Sequence, residues 1–155
     1  MEDHTQDLKV IVFQLNNEEY GVPVSRVGSI ERMQPITRVP RTASFVKGVM
    51  NLRGVVTPII DLRERFDIGG ATYDDRTRII IVHLEDMEVG LVVDAANDVI
   101  DIPGGTIEPP PEVVGTLDAD YISGVAKLER RLLILLDLEE VLSDQEMKHL
   151  QSIEG

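Results

Sequence analysis

Two stretches of this chain, KVIVFQLNNEEYGVPV at residues 9–24 and RIIIVHLEDMEVGLVV at residues 78–93, follow one pattern. In each, an apolar run rich in β-branched residues precedes a polar turn and a second apolar run, which is typical of a β-hairpin. A repeated unit constrains the whole architecture, because both copies are expected to fold in the same way. At an offset of 69 residues, the anchoring matches are Lys9 with Arg78, Leu15 with Leu84, Glu19 with Glu88, Gly21 with Gly90, and Val24 with Val93.

A second repeated block follows each hairpin. It reads FVKGVMNLRGVVTPIIDL at residues 45–62 and YISGVAKLERRLLILLDL at residues 121–138, an offset of 76. The second copy therefore has a longer middle connection, which includes the stretch EPPP at residues 108–111. Extra loop length of this kind costs little entropy. The matched positions are Gly48 with Gly124, Val49 with Val125, Leu52 with Leu128, Asp61 with Asp137, and Leu62 with Leu138.

Both copies are predicted to consist of short β-strands. Turn residues separate the apolar runs, and this favours small closed barrels over a βαβ sheet. Closing a barrel also removes exposed strand edges. We therefore expect a mostly β protein, with one domain over residues 1–155 that contains two five-stranded barrels, at about 8–66 and 78–138. The two copies can exchange strands at the seam between the barrels.

A helix is predicted at the C-terminus. The sequence Ser-Asp-Gln-Glu at 143–146 is a capping box, in which the first and last side chains satisfy backbone N–H groups reciprocally. We expect a helix over about 143–153 that packs on a barrel, and the alternative is a helix that binds a partner. The apolar stripe of this helix consists of Met147, Leu150 and Ile153.

The charge of the chain is unevenly distributed. The formal net charge is −13, yet residues 1–81 contain 11 basic and 11 acidic side chains, whereas residues 82–155 contain 4 and 17. Such a field repels nucleic acid and anionic membranes, so neither is an expected partner. No apolar run reaches the roughly 18 residues that span a bilayer, so direct membrane insertion is not expected. Residues 26–65 form a locally basic region.

No catalytic or metal-binding motif is recognisable in the sequence. The chain has no cysteine, and its three histidines, His4, His83 and His149, are far apart along it. A nucleophile elbow, a phosphate-binding loop, an HExxH motif and an EF-hand loop are all missing. We therefore predict no catalytic residue, no cofactor and no metal, and expect an interaction module. The alternative of a different class is a small β-barrel enzyme that binds a small molecule or a metal.

The segment at residues 45–62, with its NLRG core at residues 51–54, resembles the signature of the CheW-like family of bacterial chemotaxis coupling proteins. The opening FQLNNEEYGVPVSRVGSIE at residues 13–31 is also similar to that family, and the likeness extends over roughly residues 8–142. The resemblance implies two SH3-like barrels and a cytoplasmic, non-enzymatic adaptor that couples chemoreceptors to a histidine kinase. The alternative is a related receptor-binding regulator that competes with the coupling protein.

The resemblance also implies binding surfaces. The cytoplasmic tip of the receptor hairpin is expected in the groove between the barrels, and the regulatory domain of the kinase on the second barrel. Val27 and Ile30 are three residues apart and would share a face on a short helical turn, where a receptor helix could pack. This chain has Ser29 where some relatives carry an acidic residue. The receptor-binding positions carried over are Val27, Ile30, Gly48 and Arg53.

Two of these positions also have structural explanations. Arg53 stands at a hairpin bend, where its guanidinium could bind a partner's carboxylate. It could instead tie the loop to Asp61 or Glu64. Gly48 matches Gly124 in the second copy, which favours a requirement for backbone shape in both.

Overall fold

The computed structural model describes residues 7–69, 73–110, 113–114 and 117–154, and confirms the predicted mostly β fold. The strands are β1 (Leu8–Leu15), β2 (Glu18–Pro23), β3 (Val27–Arg32), β4 (Val46–Leu52), β5 (Val55–Asp61), β6 (Arg78–Leu84), β7 (Met87–Val93), β8 (Ala95–Ile102), β9 (Ile107–Glu108), β10 (Val113–Val114), β11 (Leu117–Asp118), β12 (Ile122–Leu128) and β13 (Arg131–Leu136). The helices are α1 (Leu62–Arg65), α2 (Leu138–Val141) and α3 (Asp144–Glu154), with 3-10 turns at Val24–Arg26, Gly104–Thr106 and Ala119–Tyr121.

Each of the two main sheets takes strands from both copies of the repeat. One sheet has the order β8-β1-β2-β13-β12-β9 and is called barrel A; the other has the order β3-β6-β7-β5-β4 and is called barrel B. The hairpin β1–β2 of the first copy thus lies beside β13, and the hairpin β6–β7 of the second copy lies beside β5. Strands β10 and β11 form a separate two-stranded ribbon. The bounds 8–66 and 78–138 therefore do not coincide with the two sheets, because the copies exchange their leading hairpins.

The exchanged hairpins are joined by parallel strand pairs that correspond in the two barrels. Gly21 of β2 is opposite Leu135 of β13, and Gly90 of β7 is opposite Ile59 of β5. A Cβ atom on Gly90 would lie 2.6 Å from Cδ1 of Ile59 and 2.7 Å from Cγ2 of Ile79. The glycine repeated at this position thus leaves room for the core side chains of the joined strands.

Barrel B has the five strands expected, and barrel A has a sixth, the two-residue β9. Strand β9 pairs with β12 through Glu108 and Val125. At the matching place in barrel B, Thr37 forms an isolated bridge with Val49. The two barrels are therefore closed in the same way, and only the length of the closing pair differs.

The apolar residues form one cluster inside each barrel and a larger one between the barrels. Among the described residues, the cluster between the barrels contains 26 buried side chains, against six inside each barrel. Alternation along β6 shows how this arises: Ile79 and Ile81 lie in the cluster of barrel B, whereas Ile80 and Val82 lie in the shared cluster. A strand buried on both faces is expected to be a continuous apolar run. The shared cluster therefore explains why the central positions of β6 are apolar on both faces.

The predicted C-terminal helix is present as α3. The capping box forms as expected: the Ser143 N–H donates to Oε1 of Glu146 at 2.7 Å, and the Glu146 N–H donates to Oγ of Ser143 at 3.1 Å. Met147 and Leu150 are buried in the shared cluster, so the helix packs on the barrels. The side chain of Ile153, the third residue of the predicted stripe, lies outside the described part of the helix.

Arg65 connects corresponding parts of the two copies. Its guanidinium lies 5.1 Å from the ring centroids of both Phe45 and Tyr121, which match at the offset of 76. Its Nε donates to the carbonyl oxygen of Val141 at 2.6 Å, and Nη2 lies 3.4 Å from Oε1 of Glu146. One side chain thus fixes α1 against the end of α2 and the start of α3.

Because each barrel needs a hairpin from the other copy, neither half of the chain is expected to fold alone. A fragment of residues 1–69 lacks β6 and β7, whose edges and apolar faces complete barrel B, and isolated hairpins are marginally stable. Circular dichroism should show no cooperative thermal transition for this fragment or for residues 73–155. An equimolar mixture should recover one. A two-state melt of either fragment alone would contradict the exchanged topology.

Candidate functional site

A β-bulge, and not a helical turn, places Val27 and Ile30 on the same side of β3. The pairing with β6 slips by one residue after Val27, so that Val27 is opposite Val82 and Ile30 is opposite Ile80. Directly opposed residues share a face of a sheet, and both partners belong to the cluster between the barrels. The expected helical turn is wrong, since the 3-10 turn ends just before Val27. The shared face is still formed, and it points toward the seam.

An exposed β-branched residue stands at the rim of the seam on both barrels. Ile30 is 41% exposed on β3, while Val27 packs partly buried against the shared cluster. Val99, which matches Ile30 at the offset of 69, is 56% exposed on β8 and is opposite Ile11 of the shared cluster. The sequence analysis missed Val99, although the repeat itself held the signal. Together, these side chains give the seam an accessible apolar rim.

Gly48 has a backbone role. It lies at a bulge of β4, where the pairing with β5 slips, and its φ of 141° is rarely adopted by residues with a side chain. A Cβ atom here would collide with the carbonyl oxygen of Thr37. Thr37 is held in place because its N–H and its carbonyl each form a 2.8 Å hydrogen bond with Val49. Gly48 is itself buried, so it shapes the surface and offers no side chain to a partner.

Arg53 projects from the tight turn between β4 and β5. The turn places Arg53 and Gly54 at positive φ, 52° and 86°, and Oδ1 of Asn51 accepts a 2.8 Å hydrogen bond from the Gly54 N–H. The Arg53 side chain is 69% exposed, and its Nη1 lies 3.5 Å from Oε2 of Glu31 on β3. A turn of defined geometry therefore carries an exposed guanidinium, which has five N–H donors.

Arg53 forms no ion pair with Asp61 or Glu64, the alternative considered from the sequence. Tyr73 donates a 2.7 Å hydrogen bond to Oδ2 of Asp61, and burial together with this bond raises the pKa of Tyr73 above its usual value. Glu64 instead forms a 2.7 Å ion pair with Lys47. The carboxylate next to Arg53 is Glu31, which the sequence analysis did not identify.

The described residues thus place Val27 and Ile30 on the face of β3 that points toward the seam. Arg53 lies beside Glu31, whose partner on β6, Ile79, lies inside barrel B. Gly48 is buried in β4. Within the described ranges, no three His, Asp or Glu side chains are grouped closely enough to hold a metal ion. None of the described helices is long and apolar enough to span a membrane. The arrangement suits docking by apolar contact and a charge-assisted hydrogen bond.

Comparison with known proteins identifies the family. The sequence profile of the CheW-like domain matches residues 9–146. This chain belongs to the CheW-like family. The Chemotaxis protein CheW of Klebsiella aerogenes is 43% identical over 137 residues, which cover 88% of this chain and 82% of that protein. The Chemotaxis protein CheW of Bacillus subtilis is 46% identical over 137 residues, covering 88% of each chain.

A solved structure extends the likeness to three dimensions. The scaffolding protein TtCheW from Thermoanaerobacter tengcongensis superposes with a TM-score of 0.84 at 37% identity, covering 91% of this chain and 96% of that one. The predicted family and fold class are therefore confirmed, together with the predicted scaffold role in chemotaxis.

Replacing Gly48 with alanine should destabilise the protein strongly. The new methyl group meets backbone at Thr37 and imposes an unfavourable φ, so the free energy of unfolding should fall by about 2–4 kcal/mol. Gly105→Ala is the matched control, because a Cβ atom there meets nothing within 4 Å. Urea denaturation of both variants measures the difference, and a Gly48→Ala protein of normal stability would refute the backbone role.

Proposed function

We propose that this protein couples chemoreceptors to the chemotaxis histidine kinase in the cytoplasm. The tip of a receptor helical hairpin docks at the rim of the seam on barrel B, through Val27, Ile30 and Arg53. The regulatory domain of the kinase docks on barrel A, which contains β12 and β13 of the second copy. The observation that carries the proposal is the exposed Ile30 beside the Glu31–Arg53 pair, on a chain of the CheW-like family.

The apolar part of this surface fits a helix. A helical hairpin presents side chains at i, i+3, i+4 and i+7, and such a stripe packs into an apolar groove. Ile30 on β3 and Val99 on β8 supply exposed apolar surface at the edge of the shared cluster. Because their side chains point toward the seam, a helix that contacts both would lie along it. Val99 is therefore added to the receptor-binding positions proposed for this chain.

Arg53 is proposed to orient the receptor hairpin on this surface. Its guanidinium extends from a turn of defined geometry, and Nη1 lies near the carboxylate of Glu31. The remaining donors can form a charge-assisted hydrogen bond with an acceptor of the receptor, which fixes the position of the hairpin along the seam.

A reconstitution separates coupling from the alternative, a regulator that competes with the coupling protein. Receptor signalling fragments, kinase and this protein are mixed, and autophosphorylation of the kinase is measured. A coupling protein should make kinase activity depend on the receptor only when all three components are present. A competing regulator would instead lower the activity of an assembly that already contains a coupling protein.

Arg53→Ala should weaken receptor binding and leave the fold intact. Losing a hydrogen bond to a charged group costs about 1.5–3 kcal/mol, or roughly 10- to 150-fold in affinity. Arg130→Ala is the control, because Arg130 is exposed at the corresponding turn of the second copy. Titrations measure the affinity of each variant for the receptor fragment and for the kinase, and thermal melts test whether each variant remains folded. Normal receptor binding by Arg53→Ala would show that the surface is misplaced, and normal kinase binding is expected for both variants.

A further inference from the structure

Barrel A neutralises the carboxylates at one of its ends with an arginine of its own. Arg131, the first residue of β13, forms a two-pronged ion pair with Glu19: Nε lies 3.0 Å from Oε1 and Nη2 lies 2.7 Å from Oε2. Its Nη2 also lies 3.3 Å from Oδ1 of Asp98 on β8. These three residues bind the strands β13, β2 and β8 together.

Barrel B has the same framework without the arginine. At the repeat offsets, Glu88 takes the place of Glu19, Ser29 that of Asp98, and Val55 that of Arg131. Val55 is 48% exposed and uncharged. In the described part of the chain, no Lys or Arg pairs with Glu88, and its one ionisable partner is His83, with Nδ1 3.7 Å from Oε2. The carboxylate of Glu88 therefore has no counterpart to the guanidinium that Glu19 binds.

A second observation points to the same place. The Ser29 hydroxyl oxygen is buried and has no hydrogen-bond partner within the described chain, and an unsatisfied buried hydroxyl is costly. Its neighbour Gly28 lies directly against the carboxylate, since a Cβ atom there would be 3.1 Å from Oε2 of Glu88. The bulge of β3 thus brings a hydroxyl without a partner among the described residues and a carboxylate without a described Lys or Arg partner to the same end of barrel B.

We propose that Glu88, Ser29 and Val55 form an acceptor site for a basic side chain, arginine or lysine, of the receptor hairpin. That side chain takes the position which Arg131 occupies in barrel A, with its aliphatic stem on Val55 and its charged end on Glu88. The site adjoins the docking surface, because Ser29 precedes Ile30 and Val55 follows the turn of Arg53. The inference rests on the proposed receptor coupling and assigns the chemistry of one receptor contact.

Removal of the carboxylate tests the contact directly. Glu88→Gln should weaken binding of a receptor signalling hairpin by about 3- to 5-fold, as expected for a partly exposed charge pair. Glu129→Gln makes the same change of charge at an exposed turn of barrel A and should leave the affinity unchanged. Each Lys or Arg of the receptor hairpin is then changed to Gln in turn. For the receptor variant that lacks the contacting side chain, the Glu88→Gln protein should bind as tightly as the wild-type protein. Wild-type affinity for Glu88→Gln would overturn the proposal.

An arginine supplied by the protein itself tests the site without a receptor. Val55→Arg should raise the melting temperature relative to Val55→Gln, which has similar length and no charge, and the difference should vanish when Glu88→Gln is added. Val55→Arg should also weaken receptor binding, and by more than Val55→Gln does, because only the arginine places a charge where the receptor side chain would bind. No stabilisation by Val55→Arg would refute the acceptor geometry. If the wild-type protein binds no receptor hairpin, the coupling function fails instead, and the melting series alone decides whether the site accepts a guanidinium.

Discussion

Burial of both faces of the central hairpins is the constraint on which the structure depends. A two-stranded hairpin with apolar residues on both faces needs a partner on each side, since otherwise one face would leave large apolar side chains in water. Ile79 and Ile81 meet this need inside barrel B, and Ile80 and Val82 meet it against barrel A. The seam is therefore a core in its own right. Exposed apolar side chains lie at its rim on the outer strands β3 and β8, at Ile30 and Val99.

The repeat was enough to predict two β-barrels, because matched apolar runs, turns and glycines are visible in the sequence. An exchange of strands at the seam was anticipated, but the sequence does not show which strands exchange, since the parallel joints leave no local signal. Gly21 and Gly90 are recognisable as a matched pair, but their partners Leu135 and Ile59 are found only in three dimensions. For the same reason, the bounds drawn along the chain follow the two copies of the repeat, whereas each main sheet contains strands of both.

The sequence indicated some features of the candidate site and not others. The positions of Val27, Ile30 and Arg53 came from the family motif, and in the structure Ile30 and Arg53 are exposed while Val27 is partly buried. A bulge, which inserts one residue into a strand pair, has too weak a sequence signal to be distinguished from a helical turn. The Glu31–Arg53 contact joins residues 22 apart in sequence across the closure of the barrel, and no periodicity encodes it. The repeat matches Val99 to Ile30, but the family motif does not extend to that position, and the exposure of Val99 is apparent only in the structure.

The two parallel strand pairs, β2 with β13 and β5 with β7, also affect how the molecule responds to mechanical force. Each joint ties a hairpin of one copy into the sheet of the other, and the close-packed core between the barrels resists deformation. Arg65 adds a further brace, since it holds the aromatic rings of both copies. A displacement imposed on barrel B is therefore expected to pass to barrel A through these contacts of the described residues. A protein built in this way can serve as a stiff strut between whatever is attached at its two ends.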